Sequence, residues 1–306
     1  MVLMSGYAAG QSYPGKPVRI VATEAGGITD FVSRLIAQEI SGGLGQQVIV
    51  ENRPNSVVLG DTLLKAAADG HTLLNAGPAV WLLQFLQDNV SYDPIKDFAA
   101  VTLATRSPSI FVVHPSLPVM TIKDLIVLAK ARPGELNYAS SGVGSSSHVA
   151  PELLKSMAGV NIVRVPYKGA GPAIIDLVGG HVQLMSVVIA TGMPHVKAGK
   201  LRALAVISLQ ASPLAPGIPP VSASGLAGYE SVSIQGLFVP AKTPAAIITR
   251  LNQEIVRAVS KPEVKDKFLL SGVEPVGSSP EELVAAVKSE MAKSGKIIKD
   301  ISLRGQ

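Results

Sequence analysis

The residues best suited to chemistry sit in one uncharged run, Ser140-Ser141-Gly142-Val143-Gly144-Ser145-Ser146-Ser147-His148. A strand over 137–139 precedes it, and a helix reaching to about Met157 follows. Small residues let a ligand approach the backbone closely, and a helix N-terminus presents free N–H groups whose dipoles favour an anion. The same run reads equally as a tight turn with a serine cap. It lacks the third glycine of a dinucleotide fingerprint and the lysine of a phosphate P-loop. A second turn, Gly26-Gly27-Ile28-Thr29-Asp30, follows the strand VRIVAT and repeats this logic. Alone it is an ordinary strand-to-helix turn capped by Thr29 or Asp30. Two such turns facing each other across a cleft would grip one anionic ligand from both sides.

Other chemistries find less support. Serines beside His148 suggest a hydrolase using Ser146 and His148, but no G-x-S-x-G elbow occurs in the chain. The histidines, His71, His114, His148, His181 and His195, stand singly, and there is no cysteine. Thiolate metal sites, disulfides and cysteine nucleophiles are therefore excluded, and no metal or cofactor is expected. Glu281 and Glu282 open a helix and serve its dipole. Tyr167-Lys168-Gly169 is a candidate anion contact whose ordinary reading is a solvated turn.

The elements that must position these residues alternate strand and helix. Strands are expected at 18–23, 48–50, 72–75, 110–113, 137–139, 162–165, 182–188, 201–206 and 236–239. Helices are expected from Thr29 to Gly42-Gly43, over 60–68 and 121–132, from the end of the 140–148 run to about Met157, and over 171–178, followed by a helical tail. Thr121 and Asp124 form a capping box, and Pro244, Pro262 and Pro280 stand in first helical turns. The alternation specifies α/β units with parallel sheets and crossover helices.

Composition narrows the class. Of 306 residues, 47% are hydrophobic and 16% charged, against about 25% charged in typical domains, which excludes disorder. The net charge of +5 leans toward anionic partners. Aromatics make up only 4% and basic residues are scattered, so nucleic acid is not expected. Prolines break the longest uncharged stretch, 203–229, so no membrane-spanning helix is expected. Residues 1–12 lack the basic and apolar regions of a secretory signal. The chain is then cytosolic, or its signal is absent or truncated ahead of Tyr13.

From about Tyr13 to Lys299 the chain resembles the Bug-type extracytoplasmic solute receptors of tripartite tricarboxylate transporters. The resemblance rests on ordered blocks. They include Tyr13-Pro14-Gly15-Lys16-Pro17, Gly26-Gly27-Ile28-Thr29-Asp30, Val50-Glu51-Asn52-Arg53-Pro54 and Ala68-Asp69-Gly70-His71-Thr72. Further along come the 140–148 run leading into Glu152-Leu153, Val165-Pro166-Tyr167-Lys168-Gly169, His195-Val196-Lys197-Ala198-Gly199 and Pro275-Val276-Gly277-Ser278.

The resemblance implies an α/β, two-domain periplasmic-binding-protein type II fold with a ligand cleft between domains and a hinge crossed twice. Domain 1 is 13–109 plus 230–306, and domain 2 is 110–229. It implies a periplasmic, monomeric receptor that captures a small carboxylate, often a dicarboxylate, and delivers it to membrane permease subunits without catalysis. Ligand-binding positions carry over onto Gly26, Gly27, Ile28, Thr29 and Asp30, and onto Ser140, Ser141, Gly142, Gly144, Ser145, Ser146 and His148. Gly77-Pro78-Ala79, Tyr167 and Thr191 are further liners. A sensor subunit of the same fold is the other reading it allows. The chain departs from the family pattern at Thr23-Glu24-Ala25, at Asn55 to Leu59, and at Gln183 with the apolar Val188-Ile189-Ala190. Glu24 would repel a carboxylate unless paired, and an apolar or aromatic acid becomes a plausible ligand.

Overall fold

The computed structural model describes residues 13–304 apart from 24, 54, 55, 86, 88 and 142–144. The chain begins with β1 (Val18–Ala22), α1 (Ile28–Leu44), β2 (Val48–Asn52), α2 (Ser56–Leu64), β3 (Thr72–Ala76), α3 (Pro78–Trp81) and β4 (Phe98–Ser107). It continues with β5 (Ser109–Val113), α4 (Ile122–Ala131), β6 (Asn137–Ser140), α5 (Ser146–Ala158), β7 (Val163–Pro166), α6 (Ala170–Val178), β8 (Leu184–Val188), α7 (Ile189–Lys197) and β9 (Arg202–Val206). It closes with β10 (Ser233–Pro240), α8 (Ala245–Ser260), α9 (Pro262–Leu270), β11 (Glu274–Pro275) and α10 (Pro280–Arg304).

These strands form two sheets. The first runs β11-β4-β10-β3-β1-β2 and the second β7-β6-β8-β5-β9. In the first, β1 pairs parallel with β2 and β3, and β10 lies antiparallel to β3 and β4. The second repeats the scheme, with β6 parallel to β7 and β8, and β5 antiparallel to β8 and β9. Parallel strands all end at one sheet edge, so the turns after β1 and β3 share an edge, as do those after β6, β7 and β8.

Both faces of each sheet are buried, as crossover helices require. Ile20 packs in the cluster formed with α1, α8 and α9, and its neighbour Val21 packs in the one formed with α2, α3 and α10. In the second sheet Tyr138 faces α4 and α5, and Ala139 faces α6. The chain passes between sheets at Pro108 and returns through 207–232. Hydrogen bonds from Ile207 N–H to Ser109 C=O (2.9 Å) and from Ser231 N–H to Ile207 C=O (3.0 Å) tie the two passages together. Helix α10 belongs to the first sheet's core through Leu283, Val287 and Ile298, and also touches α5.

Local structure follows the sequence signals with some corrections. The Thr121–Asp124 capping box forms as expected. Helix α1 runs past Gly42-Gly43 and stops at Gly45, whose φ of +68° is the left-handed conformation that ends helices. Helix α2 starts four residues before the expected Gly60, at Ser56. Strand β4 was not expected: it lies between β10 and β11 with Ala100–Thr105 all buried, so no alternation marks it. Helix α7 was also not expected; it contains Gly192 and Pro194, residue types that disfavour a helix interior.

Candidate functional site

The first lobe's turn is shaped by its own carboxylate. Gly26 takes a φ of +84°, and Gly27 is the N-cap of α1 and offers no side chain. Ala25 to Ile28 are exposed, so the helix start is open to solvent. Asp30 does not cap this end. It is buried in the first turn and points back beneath the loop, accepting hydrogen bonds from Gly26 N–H (2.9 Å), Arg34 Nε (3.0 Å) and Asn52 Nδ2 (2.8 Å). Burial raises its carboxyl pKa, but Arg34, the Gly26 N–H and Asn52 outweigh that and bring it down to about 2. Asp30 is a strut for the turn. The Thr29 C=O accepts from Asn75 Nδ2 (3.2 Å), which couples this turn to the end of β3 and thus to Gly77-Pro78-Ala79.

The second lobe's turn is built on serines. Ser140 is fully buried, and its Oγ accepts from Arg164 Nε at 2.7 Å. Ser147 is a hub: its Oγ accepts from Ser141 N–H (2.9 Å) and bonds the hydroxyls of Ser141 (2.8 Å) and Ser145 (3.0 Å). Ser145 is the N-cap of α5 but caps no N–H with its side chain. Gly142 and Gly144 lie outside the described residues, as does Glu24. His148 is buried behind the turn, and burial, then Arg164, push its imidazole down to about 4. A histidine that is this weak a base at neutral pH does not suit nucleophile activation, and Ser146 forms no hydrogen bond with it among the described residues.

Tyr167 is engaged elsewhere: its hydroxyl donates to Asp176 at 2.8 Å, and burial with that bond pushes it up to about 12. Thr191 is exposed on α7, next to Ala190, which lies against Gly272 of the other lobe. No group of three or more His, Asp or Glu among the described residues is placed to hold a metal.

A cavity of about 550 Å³ lies between the lobes. Pro78 and Ala79 wall it on one side, Ser146 and Val149 on the other, with the passages at 208–211 and 230–234 behind and α10 alongside. The structure thus brings three of the expected residues, Pro78, Ala79 and Ser146, to one cavity. The other expected residues among those described do not line it. Sequence reasoning passed over Ser147, Arg164 and the wall residues Arg106, Glu290 and Lys293. Arg106 was hidden with its unrecognised strand, whereas Arg164 directly precedes the Val165-Pro166-Tyr167 block.

Comparisons with known proteins converge. The sequence signature described as tripartite tricarboxylate transporter family receptor matches residues 32–303. The UPF0065 protein in the tcbD-tcbE intergenic region of Pseudomonas sp. (strain P51) is 36% identical over 296 residues, covering 95% of this chain and 88% of that protein. The structure of R. palustris Rpa4515 with adipate is similar at 34% identity and a TM-score of 0.73, covering 94% of this chain and 97% of that one. MatC (Rpa3494) from Rhodopseudomonas palustris with bound malate is similar at 29% identity and a TM-score of 0.70, covering 94% of this chain and all 100% of that one.

Proposed function

The chain belongs to the tripartite tricarboxylate transporter receptor family, and from that premise we propose that it is an extracytoplasmic receptor that captures a small carboxylate between two lobes. It binds without chemistry and passes the acid to the permease subunits of its transporter. It works as a monomer in the periplasm. The lobes are 13–109 with 230–306, and 110–229.

One observation carries the reading. Each lobe offers a helix start, at Ile28 and at Ser146, whose N-cap residue makes no side-chain capping bond among the described residues. Both follow parallel strands of their sheets, where open α/β folds take ligands. Gly26, Gly27, Ile28 and Thr29 meet the acid from one lobe, and Ser141, Ser145 and Ser146 with Gly142 and Gly144 meet it from the other. Gly77, Pro78 and Ala79 border the cavity side, and Tyr167 and Thr191 the outer rim. Asp30, Ser140 and His148 support these contacts from behind. The adipate and malate bound by two similar proteins agree with a small acid as the ligand. Hinge closure over the acid supplies affinity by excluding water from the charge-assisted bonds.

A thermal-shift screen of aliphatic and aromatic mono- and dicarboxylates tests the reading. An acid at a hundred times its Kd adds about 2.7 kcal/mol of stability, which at this size is a rise of several degrees. One chemical class of acid should raise Tm while the protein hydrolyses no ester. Ester hydrolysis that vanishes in Ser146→Ala would replace the receptor with the hydrolase.

A further inference from the structure

Resting on the receptor reading, we propose that Arg164 supplies the positive charge of the second lobe's carboxylate subsite and sets the preference for anionic over neutral ligands. Arg164 lies on β7 in register with Tyr138, on the face covered by α5. Its side chain reaches the edge where the serine turn begins, and there its Nε holds Ser140 Oγ at 2.7 Å. No carboxylate lies within 4 Å of it among the described residues, and no described partner engages its terminal nitrogens. A guanidinium with no carboxylate beside it is a standing positive charge, and its planar fork suits an incoming carboxylate.

The charges around it leave that vacancy open. His148 faces Arg164 from β7, Glu152 and Lys155 from its own helix α5, and Tyr138 lies on β6. Glu152 is already engaged by Tyr138 Oη (2.7 Å) and Lys155 Nζ (2.6 Å). Lys155 is thus the cation that pairs with Glu152, and Arg164 forms no ion pair among the described residues. The turn 140–148 brings no charge of its own. A further unused group lies beside it. Extending the β6–β8 register by one residue sets Ser186 next to Ser140; Ser186 is 1% exposed, and its Oγ has no hydrogen-bond partner among the described residues. A carboxylate arriving at the start of α5 meets the helix N–H groups, the serine hydroxyls and the field of this guanidinium together. The guanidinium acts through Ser140 and through space, as a positioning residue.

The test titrates wild type, Arg164→Gln and Arg164→Lys with adipate and with malate, at low and at high salt. Arg164→Gln should lose about tenfold in affinity, the scale of a unit charge acting across a partly solvated gap. Its remaining binding should become nearly independent of salt, and its ligand-free Tm should stay near wild type. Arg164→Lys should recover most of the affinity. Wild-type affinity should also stay level from about pH 6 to about pH 7, because a guanidinium does not titrate there and Glu290 on the cavity wall ionises only toward about 8. The inference is overturned if Arg164→Gln binds as wild type does. It is also overturned if both variants lose affinity in parallel with ligand-free Tm, or if wild-type affinity follows imidazole protonation. A wild type that binds no acid removes the receptor reading itself, which separates the two failures.

Discussion

Asp30 shows how one buried carboxylate can fix a turn from beneath. Its carboxylate holds Gly26 N–H, Arg34 and Asn52 at once, so the backbone of the first turn is set before any ligand arrives. Hydrogen bonds to a charged group each contribute about 1.5–3 kcal/mol. Asp30→Ala should therefore lower the urea-unfolding free energy by at least that much and weaken acid binding as well. The Asp30 carboxyl is lowered to about 2 in the fold, so its contribution is complete above the ordinary carboxylate range and disappears as pH falls through about 2. In the Ala variant the loss of stability from pH 5 down to pH 2 should be shallower than in wild type. The sequence identified this turn and its residues but misassigned Asp30 as a cap. Spacing places a residue in the first turn, whereas the partners Arg34 and Asn52 decide which way it points. Ser147 escaped for a similar reason, since its hub role depends on how the turn folds back.

At the scale of elements, α10 decides how the lobes meet. It packs Leu283 and Val287 on the first sheet, touches α5 of the other lobe and walls the cavity. Leu283 is fully buried, so Leu283→Ala should cost about 2–5 kcal/mol in chemical denaturation. Glu290 on the same helix accepts from Trp81 Nε1 at 2.9 Å. Burial pushes its carboxyl up to about 8, with the Trp81 bond opposing and Glu230 adding to the rise. The folded state thus holds a proton that the unfolded chain has released. The stability from that proton is full below the ordinary carboxylate pKa and is lost as pH climbs to about 8. Glu290→Gln keeps an acceptor for Trp81 and should raise Tm at pH 8 with little change at pH 5. A Tm gain that is the same at both pH values would contradict this.

Strand–helix alternation made most elements legible in the sequence, including the strands that carry both turns. Strand β4 was not, because a strand buried on both faces between two neighbours has no alternation to reveal it. Arg106 was lost with it.

For the whole molecule, the repeated sheet scheme gives each lobe a turn at the end of its parallel strands. Each sheet ends its parallel strands at one edge, and two chain passages tied by backbone bonds join the lobes. The fold class was legible because hydrophobic runs, capping residues and glycine turns all agree on it. The cavity was not, because its walls come from segments far apart in the chain, at 78–79, 146–149, 208–211, 230–234 and 286–294.

The central claim is that both turns close on one acid, and a crystal structure of the protein grown with adipate or malate tests it most directly. The expected result is a single acid between the lobes, with one carboxylate against the backbone of 26–28 and against Ser141, Ser145 or Ser146. An acid held by one lobe alone, or seated away from both turns, would contradict it.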